Sequence, residues 1–439
     1  MTILAIISII WRLALGSAHR LAMPSHLDWR RLRLVFLVAV LLRVLISLLF
    51  VDVIGDRTEA VEIARAVAMG RGFSDPIHDF PTGPTAWVAP VFPFIRGTAY
   101  RLLGLDSGAA LAAVLLFNSL SSAAVCVVLF FLASRWVGPE LGMRAAWAWA
   151  LFPYAIVLSM PRSGEAALAS FLVSLAFLAA LRLGLEPSQR AIHWFGFGLL
   201  SGLLVLTHTS ALTVVALLFG WLLWKSPRPW MPRARLVALA FLAAVAVISP
   251  WLVRNYVVFH QFVFLRSGLG LELHVGNSGN TEYYRDMTVH PTRNRHELQR
   301  MMQLGEISYM AEKKVKALDV ITAHPGAFLM QMLRHAGSFW TGAWDVRPRT
   351  LLAQPYYAAS IVFCSLLVLL AVAGLTAVVR ARCPGWELLT AILLMYPLVY
   401  YVTHANERYR HSLDPFLILL VCVVLPWFPE RRRVDSLLA

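Results

Sequence analysis

"VIGDRTEAVEIARAVAMGRGF", residues 53–73, decides how this chain is read. A long apolar run ends at Val53, and an acid, Asp56, follows three residues later. Ala60, Ile63, Ala64 and Val67 then recur at helical spacing, with Thr58, Glu59, Glu62 and Arg65 on the other side. Gly70 and Gly72 predict the end of that helix. Asp56 has two compatible readings. With Glu59 three residues on, it makes a capping-box-like helix start. As a carboxylate at the mouth of an apolar run, it can also leave one oxygen facing a cavity and do chemistry there.

The composition decides what kind of run ends at Val53. Of 439 residues, 59% are hydrophobic and 14% charged, and the mean hydropathy is +0.67. A dispersed globular chain of this length needs far more polar surface. Apolar runs of roughly 20 residues predict about ten membrane spans. They lie near 34–53, 108–134, 144–160, 165–184, 191–207, 209–224, 235–253, 356–379, 387–403 and 412–428. The division at "THTS" (207–210) is the one on which the alternation of sides depends. The fold class expected is an all-α polytopic membrane protein.

The net charge of +15 falls mainly in short segments between runs, such as Arg30, Arg31 and Arg33, or Arg228, Arg233 and Arg235. Alternating the spans puts every such cluster on one side with both termini, the pattern of cytoplasmic loops beside anionic lipid. The basic balance is therefore read as topology, with no nucleic-acid partner. The four cysteines lie in apolar runs or in a basic loop, which indicates neither disulfides nor a cysteine metal site.

The organisation predicted has three parts. Residues 1–30 are an interfacial N-terminal segment or precede the true start. Residues 31–430 form the transmembrane domain, and 431–439 a basic cytoplasmic tail. Two long segments, 54–107 and 254–355, fall on the non-cytoplasmic side with the turns "MPRSGE" (160–165) and "THANERYRH" (403–411). In the second long segment Leu304, Ile307, Ala311, Leu318 and Ile321 share one helical face, and His324–Pro325 breaks the pattern. "GAFLMQMLRHAGSFWTGAW" then predicts a second surface helix ending in Trp340 and Trp344.

These four segments carry a resemblance. Asp56 to Phe73, "TAWVAPVFPF" and "YRLLG" resemble the first external loop of GT-C glycosyltransferases, in the lipid-linked-sugar-dependent branch of the aminoarabinose and protein O-mannosyl transferases. "MPRSGEAALASFL" resembles that family's turn before the fourth span. "GLGLELHVGNSGNT" (268–281) is similar to its Gly-x-Asn segment after the seventh, and "ANERYRHSLDPFLILL" to the start of its last. The order and placement of these motifs over residues 30–430 carry the likeness more than any one of them.

The resemblance implies the GT-C fold and a periplasm-facing enzyme of the inner membrane. It would move a sugar from a polyprenyl-phosphate donor to a lipid, glycan or protein acceptor, inverting the anomeric centre. Asp56 matches the family's catalytic base, although Arg57 stands where many relatives carry a second acid. Glu165 is expected as an assisting acid; its plainer reading is a first-turn acid on a helix dipole. Arg408 or Arg410 would clamp the phosphate, only one of the two facing inward because residues two apart on a helix diverge. Arg254 is a further phosphate candidate. Glu59, His274, Asn277 and Glu407 are candidates for sugar or acceptor contact, with Glu282 and Asp286 nearby. The histidines show no metal-ligand spacing, so no metal ligand is assigned, while a divalent metal stays compatible with the family's chemistry. Arg43, in mid-span, needs a partner in the bundle. Two other readings fit the pattern: a transporter or flippase of lipid-linked sugars, and a polymerase or ligase of envelope polysaccharide.

Overall fold

The structure is a computed structural model, which describes residues 26–50, 58–185, 190–226, 230–279, 286–343 and 345–425. Asp56, Arg57, Glu282, Trp344 and both terminal segments lie outside the described residues. Helices dominate. In chain order they are α1 (His26–Leu49), α2 (Glu59–Ala68), α3 (Val91–Leu103), α4 (Gly108–Trp136), α5 (Pro139–Ala150), α6 (Pro153–Val157), α7 (Ala166–Leu185), α8 (Ala191–Thr207), α9 (Leu212–Trp224) and α10 (Met231–Phe259). The second long segment holds α11 (Leu269–Gly276), α12 (Arg295–Leu304), α13 (Glu306–Ala323), α14 (Pro325–Thr341) and α15 (Pro348–Ala353). The chain then returns through α16 (Pro355–Arg380), α17 (Trp386–Met395), α18 (Leu398–Val402), α19 (Glu407–Arg410) and α20 (Asp414–Val424). Among the described residues extended pairing is limited to two isolated bridges, Ser74 with Pro84 and Ile77 with Phe80.

Among the described residues, five helices are long and apolar enough to cross a membrane: Trp29–Leu49 within α1, and α4, α7, α10 and α16. Shorter apolar helical stretches occupy the expected spans at 191–207, 209–224, 387–403 and 412–428. The division at "THTS" holds, with α8 ending at Thr207 and a single 3-10 turn, Thr209–Ala211, leading into α9. Two expected spans are broken. That at 144–160 is α5 followed by α6, and that at 387–403 is α17 followed by α18. The causes are Pro153 and Pro397, which lack the N–H that a continuous helix needs.

The break at Pro153 explains Arg43. Without an N–H at Pro153 the carbonyl of Trp149 loses its helical donor, and Arg43 supplies another. Its Nη2 donates to the Trp149 carbonyl at 3.2 Å, and Nη1 to the carbonyls of Ala150 at 3.2 Å and Ala39 at 2.9 Å. Nε donates to Ser122 Oγ at 2.8 Å. The guanidinium is fully buried, yet each edge is satisfied, so α1, α4 and α5 are fastened at one point.

The helix read from residues 53–73 forms, but its start differs from expectation. The N-cap falls on Thr58, not Asp56, and Glu59 is the first helical residue. Its end is as expected. Gly70, at φ +78°, donates to the Val67 carbonyl, and Arg71 N–H reaches the Ala66 carbonyl at 2.9 Å. This is a Schellman closure, which needs a left-handed residue at that position. In α13 the face shared by Ile307, Ala311 and Leu318 is not the buried one. Tyr309, Met310, Lys313 and Ala317 are buried instead. Lys313 goes inside because Glu297 meets its Nζ at 2.5 Å and the Tyr309 hydroxyl donates to the same carboxylate at 2.9 Å. The apolar Val315 and Leu318 are left exposed.

Replacing Arg43 with Leu should lower the melting temperature of the detergent-solubilised protein. Several buried carbonyls and Ser122 lose a donor, at about 1–3 kcal/mol for each group left unpaired. An unchanged melting temperature would show that the arginine does not hold the bundle.

Candidate functional site

A cavity of about 470 Å³ opens where the helix ends meet the two long segments, within the size range of small-molecule sites. Glu59, Glu165, Arg266, Glu272, His404 and Arg408 bring charged or titratable groups to its wall. Trp87, Tyr400 and Tyr409 supply aromatic surface, and the rings of Tyr400 and Tyr409 stack at 4.7 Å.

Glu165 stands one residue before α7, after the turn Pro161–Ser163. The Nδ1 of His208 approaches its carboxylate at 3.6 Å. His208 is itself oriented by two hydroxyls, Tyr396 at 3.0 Å and Tyr400 at 2.9 Å from Nε2. A neutral imidazole that presents N–H to Glu165 accepts from the tyrosines on its other nitrogen. Burial works to raise the Glu165 pKa, but His208 and the charge of Arg408 outweigh it and hold the carboxyl down at about 2. Arg408 shows the reciprocal effect. Burial lowers its pKa, and the charge of Glu165 more than restores it, leaving the guanidinium above its ordinary value. The two form one charge-coupled unit.

A second such unit stands in the same cavity. Arg266 Nη2 donates to Glu272 Oε1 at 2.9 Å, and His404 Nδ1 lies 3.5 Å from the other carboxylate oxygen. Burial would raise the Glu272 pKa, but His404 and Arg266 bring it below the usual carboxylate range. Backbone packing sets Glu272 in place. A β-carbon on Gly276 would sit 1.6 Å from the Thr403 carbonyl oxygen, so only glycine lets α11 approach the turn that carries His404. Asn277 completes this tie, its Nδ2 donating to the carbonyls of Leu273 at 3.0 Å and Val402 at 2.8 Å.

Of the residues expected from sequence, Glu59, Glu165 and Arg408 meet on the cavity wall. Others stand elsewhere. Arg410 is fully buried, bonded through Nε to Asp414 at 3.0 Å and through Nη1 to the Trp340 carbonyl at 2.7 Å. One arginine of the pair faces the cavity and the other the bundle, as their spacing requires. Arg254 donates to the carbonyls of Thr85 at 2.7 Å and Phe73 at 2.8 Å. His274 is buried away from the cavity, where burial and the charge of Lys313 lower its pKa to about 4. Asn277 ties backbone segments as described. Asp286 is occupied with Ser278 and Thr288. Asp56 lies outside the described residues, and of Glu407 only the backbone, at the start of α19, is described.

Arg266, Glu272, His404 and His208 were not singled out as site residues by their pattern. Glu272 did carry a signal, as the sole acid of the apolar helix "LGLELHVG". His208 was visible only as part of a span break. Glu59, Glu165 and Glu272 are the carboxylates that a divalent cation would find here. Among the described residues, no group of three or more His, Cys, Asp or Glu could hold one.

No family model matches the chain, and no curated protein matches it. Solved structures do. The apo oligosaccharyltransferase of Archaeoglobus fulgidus aligns with a TM-score of 0.52 at 12% identity, covering 95% of this chain and 54% of that one. The same enzyme tethered to an acceptor peptide with the NVT sequon aligns at 0.52 and 13% identity, covering 91% and 49%. This is the GT-C fold. ArnT from Cupriavidus metallidurans bound to undecaprenyl phosphate aligns at 0.38 and 17% identity, covering 87% and 76%. The chain spans about half the length of the archaeal chains it matches.

Glu165 should stay ionised where an ordinary glutamate does not. The sign follows from its lowered pKa: the carboxylate's contribution is present above the ordinary value and lost only as pH falls through the folded one. Difference infrared spectra of wild type against Glu165→Gln should show the carboxylate band at about pH 4, where a free glutamate is largely protonated. In a His208→Ala background that band should disappear at a higher pH. Protonation of wild-type Glu165 near pH 4 would disprove the coupling.

Proposed function

We propose that the chain is an integral membrane glycosyltransferase of the inner membrane. It moves a sugar from a polyprenyl-phosphate donor to a lipid, glycan or protein acceptor on the non-cytoplasmic face. The observation that carries this reading is that Arg408 and Glu165 line one cavity at the ends of apolar helices and stabilise each other's charge. The shared fold with an oligosaccharyltransferase supports it, as do the sequence motifs around each cavity-lining segment.

The chemistry assigns a role to each group. The acceptor hydroxyl or amine attacks the anomeric carbon while the bond from that carbon to the phosphate oxygen breaks. The bonding pair leaves with the polyprenyl phosphate, and the anomeric centre inverts. Such a leaving group is already an anion and needs cationic stabilisation rather than a strong acid. Arg408 supplies it, its planar fork matching phosphate oxygens. The acceptor's proton goes to a carboxylate whose pKa must lie nearer the working pH than that of Glu165. The resemblance to the GT-C family's first external loop assigns that role to Asp56. Glu165 acts as a permanent anion that orients Arg408 and the acceptor. Glu59 and Glu272 are placed to accept hydroxyl protons from the sugar, and the aromatic walls suit its C–H faces.

The test is reconstitution of the full chain with a radiolabelled polyprenyl-phosphate sugar and lipid, glycan and peptide acceptors. Asp56→Asn should lower transfer by about 10²–10⁴-fold, the range for loss of a general base. Arg408→Ala should lower kcat/KM by about 10²–10³-fold. A folded Asp56→Asn protein that transfers at full rate would overturn the base assignment. Labelled lipid that crosses the bilayer with no transfer to any acceptor would favour a transporter.

A further inference from the structure

A carboxylate outside the cavity joins two parts of its wall. Glu306 opens α13 directly after Gly305. Its Oε1 accepts from the Ser267 hydroxyl at 2.6 Å and from the Ala86 N–H at 2.9 Å. Its Oε2 accepts from the Thr85 hydroxyl. All the donors belong to segments remote from α13 in sequence. Thr85 and Ala86 come from the first long segment, and Ser267 from the start of the second.

The seam continues on both sides. Ser267 N–H donates to the Ala86 carbonyl at 2.9 Å, and Trp87 N–H to Thr85 Oγ1 at 3.0 Å. Arg254 holds the same strip from the end of α10 through the Thr85 and Phe73 carbonyls. The residues fastened here are chain neighbours of cavity residues. Trp87 follows Ala86, Arg266 precedes Ser267, and both line the cavity. They also stand close together, since a β-carbon on Gly268 would lie 3.0 Å from Arg266 Nη2 and 3.3 Å from Trp87 Cδ1. Glu306 itself is not on the cavity wall.

We propose that Glu306 is a positioning residue for donor binding, fastening the two external segments so that Trp87 and Arg266 stand together on the cavity wall. The inference rests on the glycosyltransferase reading, because the ligand whose binding it sets is the polyprenyl-phosphate donor. A carboxylate suits the task. It offers acceptor sites in several directions, so one side chain can hold a backbone N–H and two hydroxyls at once. Glutamine at this position replaces one acceptor oxygen with an NH₂ donor, which meets a hydroxyl or N–H that needs an acceptor. Alanine removes the bridge and leaves the buried Thr85 hydroxyl and Ala86 N–H to find other partners.

The experiment uses the full chain in lipid nanodiscs, with undecaprenyl phosphate as probe and intrinsic tryptophan fluorescence as readout. Glu306→Ala should raise the Kd by about tenfold or more, the scale of a lost charge-assisted contact. In the transfer assay it should raise the donor KM while kcat stays within about threefold, the split expected when ground-state and transition-state binding fall together. Glu306→Gln should show an intermediate loss. Ser267→Ala, a milder change, should weaken binding on its own and add little in the Glu306→Ala background, because both break one seam. Wild-type Kd in both single variants would overturn the inference. So would a fall in kcat with KM unchanged, or a weakening that is fully additive in the double variant. A wild-type protein that binds no undecaprenyl phosphate and transfers from no polyprenyl-phosphate donor would overturn the glycosyltransferase reading, and this inference with it.

Discussion

Withdrawing a charge from water beside a bilayer is costly unless partners meet it on arrival. In this chain those meetings place the helices. Arg43 meets the Trp149 carbonyl, which Pro153 has stripped of its helical donor, and the Ala150 carbonyl beside it. Arg410 and His411 converge on the buried Asp414, and the His411 ring stacks on Trp149 at 5.3 Å. Lys313 goes inside the second long segment only because Glu297 and Tyr309 are there to receive it. Where a partner comes from a distant part of the sequence, as for Arg43 with Ser122 and Ala150, satisfying the charge also specifies which helices touch.

The same requirement shapes the cavity. Of its two guanidiniums, Arg266 arrives bonded to Glu272, and Arg408 is held in its charged form by the charge of Glu165. A carboxylate that holds an arginine is kept ionised by it, and an ionised carboxylate of low pKa is a poor proton acceptor. Electrostatic coupling therefore separates the role of anchoring from that of base. Arg266, bonded to Glu272, is a donor that is already oriented on the cavity wall.

Much of the fold is legible in residues that act locally. The Schellman end of α2 follows from Gly70 and the break at Pro325 from a missing N–H, while the breaks at Pro153 and Pro397 were not read and divide two expected spans. The spans follow from run length, and the division at "THTS" from its polar residues. Less of the site could be read this way. Glu165 and Arg408 stood out because they interrupt or end apolar runs. Arg266 and His208 did not, because nothing in their neighbours distinguishes them from ordinary loop residues. Arg254 and Asn277 looked like ligand contacts, yet in the structure their hydrogen bonds go to backbone carbonyls, a use that no local pattern announces. The buried face of α13 was misjudged for a related reason. Apolar periodicity marks the core face only where the opposite face meets water, and here the exposed side keeps Val315 and Leu318 while a paired lysine goes inside.

The sequence by itself determined that this is a helical membrane chain with its long apolar helices where the apolar runs lie. Those properties depend on the length and order of apolar residues, which any reading along the chain recovers. Only the tertiary structure decided which of the chain's charges share a cavity. Arg408 and Arg410 are two residues apart, yet one lines the cavity that Glu165 also lines and the other is buried against Asp414. Helical rotation sends neighbours to different environments, and folding decides which of them meets the cavity and which meets the bundle.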